Sequence, residues 1–303
     1  MRIFLLKILL FFCILSVIDF LSGCIFDIVR VNAKGGATYR DRYICDELTT
    51  DILLLGSSRC EHHYNPIIIS DSIGLSCYNA GQSGNGILVA YARYLMVSKR
   101  CAPQMVIYDI NPSFDLLKGY DNHRYLTWLK SYYDQDSISN IFNDVDKTER
   151  YKMLSSLYRY NSRIIEVAVD FIHPIFDDGI HGFIPINSKM NKSKINKKEI
   201  NRQHRSYEFD SLKLVYLSKL IDIVGNKNIM FVISPRWYGM DQEAFKPLAD
   251  LCKKKDVLFI DYANNSKYIY NDLFFKDGNH LNSRGANEFT KDLMNYIRNK
   301  SII

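Results

Sequence analysis

The chain has 303 residues, 47% hydrophobic and 24% charged, which fits an ordinary globular protein and excludes a disordered or fibrous one. That length holds one sizeable α/β domain with insertions, or two small domains. The net charge of +6 is modest, and much of it comes from Asn187 to Arg205, a run with seven Lys/Arg and a single Glu; with no zinc finger, recognition helix or interleaved aromatic–basic pattern, this run reads as a solvated loop and no nucleic-acid partner is expected.

At the N-terminus, Arg2 and Lys7 flank a largely apolar run from Ile8 to Val29, long enough to cross a bilayer at about 20 residues. Asp19 inside it is expensive at mid-membrane, so it belongs near the outer boundary or against a partner. Leu21-Ser22-Gly23-Cys24 resembles a bacterial lipobox. Residues 1–30 therefore read first as an uncleaved signal anchor, second as a lipoprotein signal and third as a cleaved secretory signal. All three export the remainder, and positive charge before the span favours an N-terminus inside. The expected location is the bacterial cell envelope, membrane-anchored, with the domain on the periplasmic or extracellular side. Residues 31–48 follow as a linker, polar and Gly-containing from Asn32 to Tyr43, before a domain over 49–303.

A βα rhythm begins at Asp51. The spacing predicts strands over Asp51–Leu55, Ser76–Asn79, Met105–Ile110, Asn228–Ile233 and Val257–Ile260. Helices are expected over Ile87–Lys99, Ser211–Val224, Glu243–Lys254 and Ser283–Asn299. Between Pro112 and Arg205 the rhythm breaks into a stretch rich in Tyr, Asp, Asn and Ser, with helical patches around Ser155–Val169. It reads as an insertion able to cover the active face. Alternating strands and helices imply an α/β, doubly wound parallel sheet, with ligands beyond the carboxyl ends of its strands.

Beyond the targeting segment five cysteines remain, an odd number with no CxxC or Cys/His metal spacing, which argues against a zinc site and a disulfide scaffold. Cys77 and Cys101 read as small buried apolar residues. Gly81–Gly86 matches neither a Walker loop nor a dinucleotide fingerprint. No cofactor and no metal are expected.

The chemistry-bearing residues lie at strand ends and before the last helix. A serine hydroxyl becomes nucleophilic when a base takes its proton and a third group orients that base. Ser58 follows the first strand at a Gly-x-Ser turn, and Asp277 and His280 sit three apart on a loop opening the terminal helix. Alone, His280 reads as a surface or capping histidine and Ser57–Ser58 as an N-cap pair; together they point to a serine hydrolase. Gly84 suits a backbone donor, because glycine lets an N–H approach a substrate closely. Arg59 reads as an anion-binding group or a structural salt bridge, His62 and His63 as surface residues, and Arg236 and Trp237 as a sugar subsite or, for Trp237, core packing.

These motifs resemble the SGNH/GDSL superfamily of serine hydrolases over about Asp51 to Asn299. Gly56-Ser57-Ser58 is similar to that family's Gly-Asp-Ser block, with Ser57 replacing the usual Asp. Asn79-Ala80-Gly81-Gln82-Ser83-Gly84-Asn85 resembles its second block, and Asp277-Gly278-Asn279-His280-Leu281-Asn282 its last. The resemblance implies a flavodoxin-like three-layer α/β/α sandwich on a five-stranded parallel sheet. It implies Ser58 as nucleophile and oxyanion donor, Gly84 as a second donor, and His280 and Asp277 completing a triad. The third block departs: Asp109-Ile110-Asn111-Pro112-Ser113 stands where the family has Gly-x-Asn-Asp. Asn111 is a candidate for the third oxyanion contact, although strict register falls on Ser113.

The function expected is a serine esterase acting on O-acyl, especially acetyl, esters of envelope carbohydrates, with a small ester as a further possible substrate. Transfer of the acyl group to a polysaccharide hydroxyl is the close variant. A non-catalytic envelope binding or assembly module is the alternative from another class.

Overall fold

Five short apolar runs form one parallel sheet: β1 (Ile52–Gly56), β2 (Cys77–Asn79), β3 (Met105–Asp109), β4 (Ile229–Ile233) and β5 (Leu258–Asp261). A computed structural model of the chain describes residues 1–119, 126–173, 179–192 and 206–300. Most of the lysine-rich run read as a solvated loop, residues 193–205, lies outside them. The strand order is β2-β1-β3-β4-β5, all pairs parallel. Every residue of β1 to β4 is buried, whereas β5 at the edge is partly exposed. That is why these strands read as continuous apolar runs: both faces of the sheet are covered.

The chain divides into two compact units, Met1–Glu47 with Asp121–Asp177, and Leu48–Tyr120 with Asp178–Ile303. The second unit holds the sheet. Side chains alternate across each strand, and Ile52, Leu54, Ile107, Val232 and Ile260 pack with Phe289, Leu293 and Ile297 of the helix Ser283–Asn299. Toward the other face lie the helices Ile87–Ser98 and Ser211–Val224, whose Tyr91 and Tyr216 rings meet edge-on at 5.0 Å. The architecture is a three-layer α/β/α sandwich. Helix ends follow local chemistry. Asp210 caps Ser211–Val224 by accepting from Leu212 N at 2.9 Å, and Gly225, at φ 92°, ends it. Asn282 caps the last helix through Gly285 N at 2.9 Å. The expected helix Glu243–Lys254 is split, a 3₁₀ turn Gln242–Phe245 capped by Asp241 running into Lys246–Lys255.

In the first unit a 31-residue helix, Arg2–Asn32, exposes its apolar side chains almost throughout; Gly23 is its one buried residue. The stretch expected as a linker is largely helical. Gly36–Arg42 is helical and continues as a π-helical turn, Tyr43–Glu47. Its polar residues are held inside the unit: Thr38 N donates to Asp170 Oδ2 at 2.9 Å, and Asp41 lies 3.6 Å from Arg163. The expected insertion is likewise divided. Its 126–173 part forms the helices Asp136–Val145, Glu149–Lys152, Ser156–Tyr160 and Ile164–Ile172, grouped with the N-terminal segment, whereas 179–192 belongs with the sheet.

Candidate active site

The order β2-β1-β3 reverses direction between β1 and β3, and a crevice opens beyond the carboxyl ends of strands at such a point. Gly56 ends β1 opposite Asp109 of β3. At φ 145° its position favours glycine, and an added Cβ would lie 2.6 Å from Asp109 O and 2.8 Å from Cys60 Cβ. The chain therefore turns sharply into the short helix Ser58–His63, with Ser57 fully buried as its N-cap and Ser58 half-buried at its start.

Asp277 shapes its own loop by accepting from the backbone N–H groups of Asn279 and His280, both at 2.9 Å. The His280 ring folds back so that Nδ1 lies 3.0 and 3.1 Å from the two Asp277 oxygens. Its Nε2 is 3.0 Å from Ser58 Oγ, across 222 positions of sequence. Burial pushes the Asp277 carboxyl up, but hydrogen bonds from the His280 ring and the two backbone N–H groups outweigh it and bring it down to about 2. Asp277 is thus an anion facing Nδ1, which keeps the proton on Nδ1 and leaves Nε2 as the acceptor toward Ser58. The contacts run from Ser58 to His280 to Asp277, with the His280 ring between the hydroxyl and the carboxylate.

The loop following β2 is tied to the helix that Ser58 opens. Asn79, fully buried, donates to Cys60 O at 2.7 Å and Tyr64 O at 3.0 Å, and accepts from Gly81 N at 3.0 Å. Glu61 accepts from both the N–H and the hydroxyl of Ser83. Arg93 donates to Ala80 O at 2.8 Å and to Gln82 Oε1. Gly84 follows in this braced loop at φ 79°, half-buried. Asn111 caps the turn Pro112–Asp115 through Ser113 N, and its Nδ2 donates to Ser57 Oγ at 3.3 Å. The side-chain amide that reaches the Ser57–Ser58 turn is that of Asn111.

Other candidate residues take structural places. Arg59 is buried, 3.6 Å from Asp109 and donating to Ile110 O, which is the salt-bridge alternative. Arg236 donates to Tyr238 and Asn279, the latter in the His280 loop. Trp237 packs edge-on against Tyr270 at 4.8 Å, donates through Nε1 to Asp272 at 2.9 Å and holds Gly278 O through its backbone at 3.2 Å. Both brace that loop, and each is 9% exposed. The reading of His62 and His63 as surface residues is corrected. His62 is half-buried and donates to Ile184 O at 2.7 Å. His63 is fully buried, and burial holds it well below the usual imidazole range, hence neutral. Leu281 N–H donates to His63 Nε2 at 3.0 Å, so the proton sits on Nδ1 and goes to Ser234 Oγ at 2.9 Å. His63 therefore clamps the residue after His280. Nothing local announced this, because its partners lie 171 and 218 positions away.

All seven cysteines are free, with Cys77 buried and Cys101 partly exposed. Among the described residues no group of three or more His, Cys, Asp or Glu is arranged to hold a metal ion.

No protein-family model matches the sequence, and no curated protein matches it. Among solved structures the chain aligns with a Bacteroides fragilis protein described as a "putative acylhydrolase", at 11% identity and TM-score 0.41, over 88% of this chain and 98% of that one. A likeness at that level says nothing about shared chemistry.

Proposed function

We propose that the chain is a membrane-anchored serine hydrolase that cleaves O-acyl, especially acetyl, esters of envelope carbohydrate. The observation that supports it is the contact of Ser58 Oγ with His280 Nε2 at 3.0 Å, with Asp277 on the other ring nitrogen. Ser58 Oγ attacks the ester carbonyl carbon while His280 Nε2 takes its proton. The carbonyl oxygen becomes an oxyanion, met by the backbone N–H of Ser58 and Gly84 and by the Asn111 amide, which leaves Ser57 to reach it. Collapse breaks the ester bond, and the alcohol leaves with the proton from His280. Water then gives a proton to His280 and attacks the acyl-serine, releasing the acid and restoring Ser58.

The His280 and Asp277 side chains are 26% and 19% exposed, so water reaches the site. That favours hydrolysis over transfer to a glycan hydroxyl, which needs water excluded from the acyl-enzyme. The exposed apolar helix Arg2–Asn32 serves as the anchor, with Arg2 and Lys7 on the inner side.

Full-length protein treated with a fluorophosphonate should be labelled at Ser58. Ser58→Ala should abolish labelling and lower ester hydrolysis by about 10⁴-fold or more. Correctly folded protein that resists labelling would instead be a binding or assembly module. Acyl product on an added glycan, in preference to free acid, would make it a transferase.

A further inference from the structure

Asp19 lies deep in the apolar helix. Lys7 and Asp27 are about 30 Å apart at 1.5 Å per residue, the thickness of the hydrocarbon core, and Asp19 is about 12 Å inside the outer boundary. A carboxylate there needs partners from the protein. It has them: Asp19 accepts from Ser155 Oγ at 2.6 Å, Ser156 N at 2.7 Å and Leu157 N at 3.0 Å. Those backbone groups open the helix Ser156–Tyr160, and Ser155 Oγ satisfies the next, Tyr158 N, at 3.1 Å. Unpaired N–H groups of a helix start each cost several kcal/mol in lipid, and an unpaired carboxylate costs more. Here each satisfies the other at the same depth. The two helices approach closely at Gly23, where an added Cβ would sit 2.3 Å from Ser156 Cβ.

The adjoining helix Ile164–Ile172 is inverted relative to a water-facing one. Asp170 accepts from Thr38 N, and Arg163, just before the helix, pairs with Glu166 at 3.1 Å and lies near Asp41, so the polar groups turn inward. Its outward side chains are apolar, Ile165 being 79% exposed and Ile172 64%, with Ile164, Val169 and Phe171 also exposed, and in the preceding segment Leu154 is 80% exposed and Leu157 is exposed as well. Both Ser156–Tyr160 and Ile164–Ile172 pack against the spanning helix, whose own apolar side chains are exposed.

We infer that residues 154–172 form a collar around the anchor, buried in the outer leaflet with Leu154, Ile165 and Ile172 in contact with lipid acyl chains. The inference rests on Arg2–Asn32 remaining in the membrane as an uncleaved span. In keeping with that, cleavage before Cys24 would remove Asp19 and leave the start of Ser156–Tyr160 uncapped.

The test uses full-length protein in phosphatidylethanolamine–phosphatidylglycerol bilayers, plain or with brominated acyl chains, carrying single reporters Ile165→Trp, Leu154→Trp or Phe11→Trp. Relative to the parent's own Trp128 and Trp237, the emission added at 165 and 154 should fall by about half in brominated lipid, as at 11, and resist aqueous iodide. Quenching at 11 alone, with iodide reaching 165 and 154, would overturn the collar and leave the anchor standing. So would shielding of 165 and 154 from both quenchers, which would mean a second copy of the chain covers this face. Failure of bromine to quench at 11 as well would remove the span, and the collar with it.

Discussion

His63 braces the loop that carries His280. A neutral imidazole can accept at one nitrogen and donate at the other, and His63 does both, to Leu281 N and Ser234 Oγ. His280 is the residue before Leu281, so its ring position depends on a side chain that is itself fully buried. His63→Leu leaves the Leu281 N–H and the Ser234 hydroxyl without this partner in a buried place, a loss of about 1–3 kcal/mol of stability. Turnover should fall by about 10- to 100-fold with KM little changed, because the hydrogen bond to Ser58 is misaligned while the substrate's contacts remain. His63→Gln, whose amide oxygen can accept from Leu281, should recover part of the rate. A stability loss with unaltered kcat would show that His63 only fills space. At this scale the sequence was half legible. Ser58, Asp277 and His280 stand at element junctions with a recognisable spacing, whereas His63, Glu61 and Asn79 act through contacts that no local pattern encodes.

The elements that matter most to the site are the ends of β1, β2 and β3, because their three loops meet. The loop after β2 has room only for glycine at position 81, where a Cβ would lie 2.6 Å from Cys60 Cβ and 2.7 Å from Glu61 N. Glu61 then anchors it by holding Ser83 twice. Glu61→Ala should loosen the loop and misplace the Gly84 N–H, lowering kcat by about 10- to 100-fold, short of the about 3 kcal/mol expected for losing an oxyanion donor outright. Unchanged kcat in a folded variant would mean that Gly84 needs no such support. Elements shaped by their own periodicity and caps were readable. Ser211–Val224 and Ser283–Asn299 have the expected bounds, and each strand lies within a residue of expectation at either end. Gly36–Arg42 was not readable. Thr38, Arg40 and Asp41 are buried, although polar residues ordinarily mark solvent.

For the whole molecule, buried ionisable groups set opposing responses to acid. His63 and, less deeply, His62 are held below the usual imidazole value by burial. As pH falls through about 6.5 the unfolded chain binds protons that the native one refuses, so they remove stability. Asp115 has the opposite sign. Burial raises it to about 7, so between about 7 and 4 the native state holds a proton that the unfolded one has lost, and stability rises as pH falls. Asp109, raised by burial against the pull of Arg59, adds to the same direction. Thermal unfolding from pH 7 to 5 separates the two. Asp115→Asn should make stability decline with acid, and His63→Gln should make it climb, each relative to wild type by about 1–2 kcal/mol across the range. Parallel curves for all three proteins would refute both assignments.

Whether a segment becomes strand, helix or apolar span depends on neighbours a few residues away, and side-chain period, caps and run length record that directly. By itself, therefore, the amino-acid order determined an α/β chain with an N-terminal apolar helix and five buried parallel strands, and pointed to Ser58, Asp277 and His280 as its reactive candidates. Folding alone decided that His63 is a buried clamp, that Arg59, Arg236 and Trp237 brace loops, and that the start of Ser156–Tyr160 answers Asp19. Each of these is a hydrogen bond, ion pair or packing contact whose outcome depends on the low-dielectric surroundings that burial creates, and those surroundings exist only once distant parts of the chain have met.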